Sequence, residues 1–263
     1  MTNEIIVLSP ASIVSMADEW YDFATADHFW MEWRLKVLLR YMEYYGGKIE
    51  QGQRLLEIGC GHGQFIKQLE NNTAGEIDGC DLNLLALEKS PSIKGKLYLY
   101  DIEHNLDSMV DKYSGIFLLD VIEHIDDDSK FVLDSLNHLK AGGLIFINVP
   151  ALQSLYSRYD IVAGHKRRYT KKDIERLFRK LGVEVLHVGY WGFFLVPVVL
   201  IRKLYLRIIP MSKIIEKGFK PPSQFVNNFF KVVMRLELFL FDNPMIGTSV
   251  FAVGRKMKTP TSR

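Results

Sequence analysis

The segment Leu55-Leu56-Glu57-Ile58-Gly59-Cys60-Gly61-His62-Gly63-Gln64-Phe65 constrains this chain more than any other, because three glycines at alternate positions join a short apolar run to a helix-like one. Glycine reaches positive φ and carries no Cβ, so a ligand can lie against the turn while the following helix presents free N–H groups. The spacing predicts strand, tight turn, helix, with a ligand at the junction. Two common alternatives are excluded. Neither Gly59 nor Gly61 opens a G-x-G-x-x-G dinucleotide turn, and no Gly-Lys-Ser/Thr follows as a P-loop requires.

The flanking sequence repeats the same alternation. Leu55–Ile58, Ile77–Cys80, Leu97–Tyr100, Ile116–Leu119 and Leu144–Val149 read as strands, and Phe65–Leu69, Leu84–Lys89 and Phe131–Leu139 carry apolar residues at helical spacing. Strand and helix in turn signify a parallel sheet covered on both faces. Thr170, with Asp173 three residues on and Gly182 as the stop, predicts a further helix. Val183–Val188 then reads as a sixth strand and Thr248–Val253 as a late one. Asp27–Tyr45 looks helical and is rich in aromatic residues, chiefly for core packing.

Acidic residues stand where such a sheet binds ligands. Glu57, Asp81, Asp101 and Asp120 all fall at or near carboxyl ends of predicted strands. Asp81, followed by Leu82, is placed to accept the hydroxyls of a ribose. Asp101 is placed to meet an adenine amino group, with Ile102 beside the ring.

These pieces, with Asp120–His124 and Lys140-Ala141-Gly142-Gly143 before the fifth strand, resemble the class I S-adenosylmethionine-dependent methyltransferases over about Leu55 to Pro150. The resemblance implies an α/β, Rossmann-like doubly wound sheet of seven strands, the last antiparallel and beside Val183–Val188. It also implies an enzyme whose cofactor is S-adenosylmethionine. Gly59, Gly61 and Gly63 would contact its methionine part, Asp81 and Leu82 its ribose, Asp101 and Ile102 its adenine. Glu57 would order the turn, and Asp120 would line the same pocket. The whole chain is expected to form a single methyltransferase domain. Residues 1–50 would be its helical cap, 51–190 and 248–256 its core, and 191–247 an apolar, basic helical insert.

On the acceptor side, transfer to a hydroxyl needs a base, and neutral histidine suits that at pH 7; His124 and His165 are the candidates. Asp120, Glu123 and His124 are similar in spacing to the E-x-x-E-H by which some quinone-type and RNA 2′-O-methyltransferases hold a divalent cation, so they are the candidate metal ligands. The Gly164–Thr170 stretch resembles a bacterial methyltransferase subgroup linked to glycan and lipid-linked saccharide pathways, as do His28-Phe29-Trp30 and Arg34. Arg167, Arg168 and Tyr169 are therefore the expected binding groups for a small-molecule or lipid-linked acceptor, with phosphate suited to the arginine forks.

Charge separates two regions that composition alone hides. Among 263 residues the formal net charge is +2, yet residues 1–200 carry 21 basic and 28 acidic side chains, and residues 201–263 carry 12 and 3. The acidic majority and the lack of a base-flipping tetrad at Asn148-Val149-Pro150-Ala151 disfavour nucleic acid as the acceptor. A non-catalytic S-adenosylmethionine-binding partner subunit is the alternative from another class. Val188–Ile201 is uncharged for fourteen positions, too short to span a bilayer. The expectation is a cytoplasmic protein whose basic, apolar insert docks on an anionic membrane surface. Two cysteines, Cys60 and Cys80, give neither a disulfide framework nor a metal spacing.

Overall fold

The computed structural model describes residues 3–12, 27–46, 52–219 and 223–258. Eight strands form one sheet: β1 (Ile5–Val7), β2 (Arg54–Ile58), β3 (Glu76–Asp81), β4 (Leu97–Leu99), β5 (Tyr113–Leu119), β6 (Leu139–Pro150), β7 (Val183–Trp191) and β8 (Ser249–Lys256). Their spatial order is β1-β4-β3-β2-β5-β6-β8-β7. Of these, β8 alone runs against its neighbours, pairing antiparallel with both β6 and β7. That agrees with the expected late strand beside Val183–Val188.

Period-two alternation sends each strand's side chains to two separate cores. Leu56 and Ile58, Ile116 and Leu118, Ile145 and Ile147 pack on one face with Val132 and Leu136 of α4 (Asp128–Asn137) and Ile174 and Phe178 of α6 (Lys171–Lys180). Leu55, Phe117, Leu119 and Phe146 pack on the other. There they meet Trp33 and Leu38 of α1 (Phe29–Gly46), and Phe65 and Ile66 of α2 (Gln64–Glu70). Covering both faces removes the sheet from water, which is what a parallel sheet needs.

The seven-strand expectation is corrected to eight. Ile5–Val7 adds to the edge, parallel to Leu97–Leu99; a β-branched run of three was enough to pair an otherwise open edge. The third helix also stops earlier than expected, at Asn137. Leu139 already pairs with Tyr113, so Lys140–Gly143 lies inside β6 rather than before it.

Among the described residues five further α-helices follow: α3 (Leu84–Glu88), α5 (Arg158–Ala163), α7 (Val196–Tyr205), α8 (Ile214–Phe219) and α9 (Gln224–Leu240), the last preceding β8. The Thr170 cap is present as a reciprocal box, its hydroxyl accepting from Asp173 N–H while the Asp173 carboxylate accepts from Thr170 N–H. The sequence Lys220-Pro221-Pro222-Ser223 predicts a turn before α9, and its first three residues lie outside the described residues.

Candidate active site

Strand order reverses between β2 and β5, and open sheets bind ligands at that switch point, beyond the strands' carboxyl ends. A cleft enclosing about 990 Å³ of open space lies there. Its wall is built from the 57–65 turn, Asp81 and Leu82, Tyr100 to Ile102, and Leu119 to Val121, with Met31 and Arg34 from α1 opposite. The expected cofactor residues Glu57, Gly59, Gly61, Asp81, Leu82, Asp101, Ile102 and Asp120 all line it.

Backbone geometry explains the glycines. Gly59, Gly61 and Gly63 have φ of 73°, 53° and 66°, and a Cβ on Gly59 would sit 2.7 Å from Val121 Cγ2. Gly63 does not line the cleft; it is the left-handed N-cap of α2, where a Cβ would meet Ser90 Oγ at 2.5 Å. Asp81 ties the turn to the next strand, accepting from Gly61 N–H at 2.7 Å and Asn83 N–H at 2.8 Å. Asp101 caps a short 3-10 turn through Glu103 N–H at 3.0 Å, with Ile102 buried beside it.

Four carboxyls line this cleft, those of Glu57, Asp81, Asp101 and Asp120. Burial pushes Glu57 up to about 8, opposed by Arg34 and reinforced by Asp81 and Asp120. Burial also raises Asp81 against its backbone donors. Asp120, raised by burial and held down by Arg34, takes a left-handed φ of 59°. Its carboxylate accepts from Arg34 at 2.6 Å and from Asn148 at 2.8 Å, and Trp191 Nε1 donates to Asn148 at 2.8 Å. The buried Arg34 guanidinium also lies 5.0 Å over the Trp30 ring.

Beyond Asp120 lie the histidines. Their rings meet edge to face at 4.9 Å. Burial, then repulsion from His165, lowers His124 to about 3, and its ring bonds the Gly164 backbone. A base that weak takes no proton at pH 7. His165 is differently placed: Nδ1 lies 2.9 Å from Asp160 Oδ1, and Nε2 lies 4.0 Å from Glu123 Oε1. Asp160 itself is pushed up by burial, but the His165 hydrogen bond and Arg168 outweigh that and hold it well below the usual carboxylate range. Of the two expected bases, His124 lines the cleft, and His165 packs behind it with Nδ1 held by Asp160.

Two groups of expected residues are placed differently from their expected arrangement. The ligand trio Asp120, Glu123 and His124 is not assembled, because Asp120 is engaged by Arg34 and Asn148. Glu123, His124 and His165 instead bring one ligand atom each within 4.8 Å of one another. Arg168 and Tyr169 are buried and bonded within the protein. Arg168 is buried, donating to Asp160 at 2.8 Å and to the Ala151 carbonyl at 3.1 Å. The Tyr169 hydroxyl donates to Asp128 at 2.9 Å. Arg167 is partly exposed and bonds the Asp126 carbonyl at 2.9 Å. Asp160 and Asn148 were not expected as site residues; the Ser157–Asp160 capping box was the signal for the first.

A family model described as a methyltransferase domain matches residues 26–188. The ubiquinone biosynthesis O-methyltransferase of Chelativorans sp. (strain BNC1) is 30% identical over 105 residues, 37% of this chain and 40% of that protein. The mitochondrial ubiquinone biosynthesis O-methyltransferase of Candida albicans is 26% identical over 103 residues, 36% of this chain and 31% of that protein. The chain thus spans well under half the length of these curated relatives. The fold is also similar to Haemonchus contortus phosphoethanolamine N-methyltransferase 2, solved in complex with S-adenosyl-L-methionine. The TM-score is 0.55 at 19% identity, covering 85% of this chain and 52% of that one. With most of its sheet and the glycine turn inside the matched residues, this chain belongs to the class I methyltransferase domain family, whose members are S-adenosylmethionine-dependent enzymes.

Proposed function

We propose that this protein moves a methyl group from S-adenosylmethionine to a hydroxyl of a small or lipid-linked acceptor. The observation that carries it is the pairing, in one cleft, of a left-handed glycine turn with the buried Glu57 carboxyl and the half-buried ones of Asp81 and Asp120. A sulfonium bearing an α-amino group brings two positive charges to that wall. The transfer is an in-line displacement: the acceptor oxygen bonds the methyl carbon as the carbon–sulfur bond breaks, and the electron pair goes to sulfur. Positive charge is lost there, so carboxylates stabilise the bound cation more than the transition state. They serve binding, and alignment supplies the rate.

Within this reading Asp81 and Leu82 hold the ribose, Asp101 and Ile102 the adenine, and Arg34 keeps Asp120 ionised at the acceptor's edge of the cleft. His165, oriented by Asp160, takes the acceptor proton at Nε2. The partial likeness to ubiquinone O-methyltransferases supports oxygen as the acceptor atom. An acceptor of the lipid-linked saccharide class rests on the 164–170 motif. With Arg168 and Tyr169 turned inward, Lys166 and Arg167 are the basic groups that motif leaves at the surface.

One observation favours an additional cation. Both Glu123 carboxylate oxygens are buried without a hydrogen-bond partner, which a divalent ion held by Glu123, His124 and His165 would satisfy, His165 Nε2 then being a ligand in place of the proton acceptor. When bound it would polarise the acceptor oxygen. Calorimetry with S-adenosylmethionine and its demethylated product tests the cofactor half, and labelled methyl transfer into hydroxyl-bearing extracts, with and without chelator, tests the rest. No binding of either nucleoside at millimolar concentration would remove the proposal.

A further inference from the structure

Helix α9 is turned inside out. At 3.6 residues per turn, Phe225, Phe229, Val232, Leu236 and Phe239 fall within roughly an 80° arc, and all five are exposed, Phe225 by 83% and Phe239 by 85%. The opposite side carries Asn227, Lys231, Met234 and Glu237, and these face the protein. Asn227 accepts from Phe29 N–H at 2.9 Å, and Glu237 accepts from Gly192 N–H at 2.7 Å and Phe194 N–H at 3.0 Å. Lys231 pairs with Asp27 at 2.6 Å and Glu32 at 3.0 Å. Asn227, Lys231 and Glu237, with Met234, Phe230 and Leu238, thus dock α9 onto α1 and the start of the insert, and the five-residue apolar stripe points outward.

Helix α7 behaves alike. None of its residues is buried, and Val198, Ile201, Leu204 and Tyr205 are exposed, followed by Ile208. The two helices are joined at one end by ring contacts of Phe193 and Phe194 with Phe241, at 5.4 and 6.0 Å. Met245, 89% exposed, stands on the same loop. Solitary exposed apolar residues are ordinary; two continuous helical stripes mark a surface that is covered in use.

We propose that this surface lies on an anionic bilayer, with α9 and α7 embedded at the interface. Charge selects the occupant. Residues 192–247 contain eight Lys and Arg against three Asp and Glu. Of those acids, Glu237 faces inward and Asp242 is paired with Arg40. Among the described residues Arg207, Lys213, Lys217 and Arg235 are exposed beside the apolar stripes. Two copies meeting through such faces would bring like charges together, whereas anionic headgroups neutralise them. No helix of the described residues is long and apolar enough to cross a membrane, so the contact is interfacial. Because α9 packs on α1, which carries Met31 and Arg34 into the cleft, the bilayer would lie one helix from the acceptor side.

The test uses the full chain without cofactor, so that it stands apart from the methyl-transfer reading. Sedimentation with phosphatidylcholine vesicles containing about one-third phosphatidylglycerol is compared with phosphatidylcholine alone, at low and high salt. Expected are binding to the anionic vesicles, at least tenfold weaker partition when salt is raised to about 1 M, and a similar loss in F225S/F229S/F239S. These side chains are solvent-facing, so the variant should keep the wild-type melting temperature. Absence of binding to anionic vesicles overturns the proposal. So does a concentration-dependent dimer, seen by light scattering, that F225S/F229S/F239S dissociates, since that assigns the face to a second copy.

Discussion

Replacing Glu57 by glutamine asks whether the cleft is as strongly negative as its geometry implies. In the folded protein the carboxyl is raised from 4.5 to about 8. A raised acid makes the folded state bind more protons than the unfolded one, so this group's contribution to stability falls as pH rises from 4.5 to about 8 and is level outside that window. At about 1.36 kcal/mol per unit the full penalty above pH 8 is roughly 5 kcal/mol, and between pH 6 and 8 the change is about 2.5 kcal/mol. The substituted amide has no proton to lose, so the stability difference between Glu57→Gln and wild type should grow by that amount over the interval. Urea denaturation at half-unit pH steps reads it directly, and other titrating groups cancel in the difference. The same carboxyl predicts proton release on cofactor binding at pH 7, because a sulfonium favours the ionised form. Calorimetry in buffers of different ionisation enthalpy would show that release in wild type and its absence in the variant. A pH-independent difference between the two proteins would show that Glu57 is ionised in the free cleft and refute the reasoning.

His165→Ala should lower the turnover number by a factor of about 10² to 10⁴ while leaving S-adenosylmethionine affinity unchanged, as for any lost general base; single-turnover assays and calorimetry separate the two. Gly61→Val should abolish cofactor binding while the chain still folds, because a β-branched residue resists φ of 53° and its side chain would stand in the cleft; binding calorimetry checks this. Arg34→Met removes one partner of a buried ion pair and should cost about 3–5 kcal/mol in urea unfolding at pH 7. If Asp120 titrates in response, that cost should shrink as pH falls.

The cofactor half of the site was legible because it is written locally. Three positive-φ turns need glycine at those positions, strand ends need only the period-two pattern, and the distance along the chain from Gly61 to Asp81 is that of one helix and one strand. The sheet was legible for the same reason, down to the antiparallel last strand. Its edge was missed because three residues at Ile5–Val7 carry no periodicity, and only the open side of Leu97–Leu99 gives them a partner.

The acceptor half was less legible where the outcome depended on which polar groups consume one another. Arg168 looked available for a phosphate, yet Asp160, eight residues earlier, takes its Nε at 2.8 Å. Asp120 looked like a metal ligand because Glu123 and His124 follow it at the right spacing. Its partner, Arg34, comes from a helix 86 positions away, which no local pattern announces. Asp160 shows the cost of this most clearly. As the third residue after Ser157 it reads as an ordinary capping acid, and it does cap. Its second oxygen meanwhile gathers His165 and Arg168, so one carboxylate fixes the loop, neutralises a buried arginine and aims an imidazole. The packed structure is what brings the three roles onto one side chain.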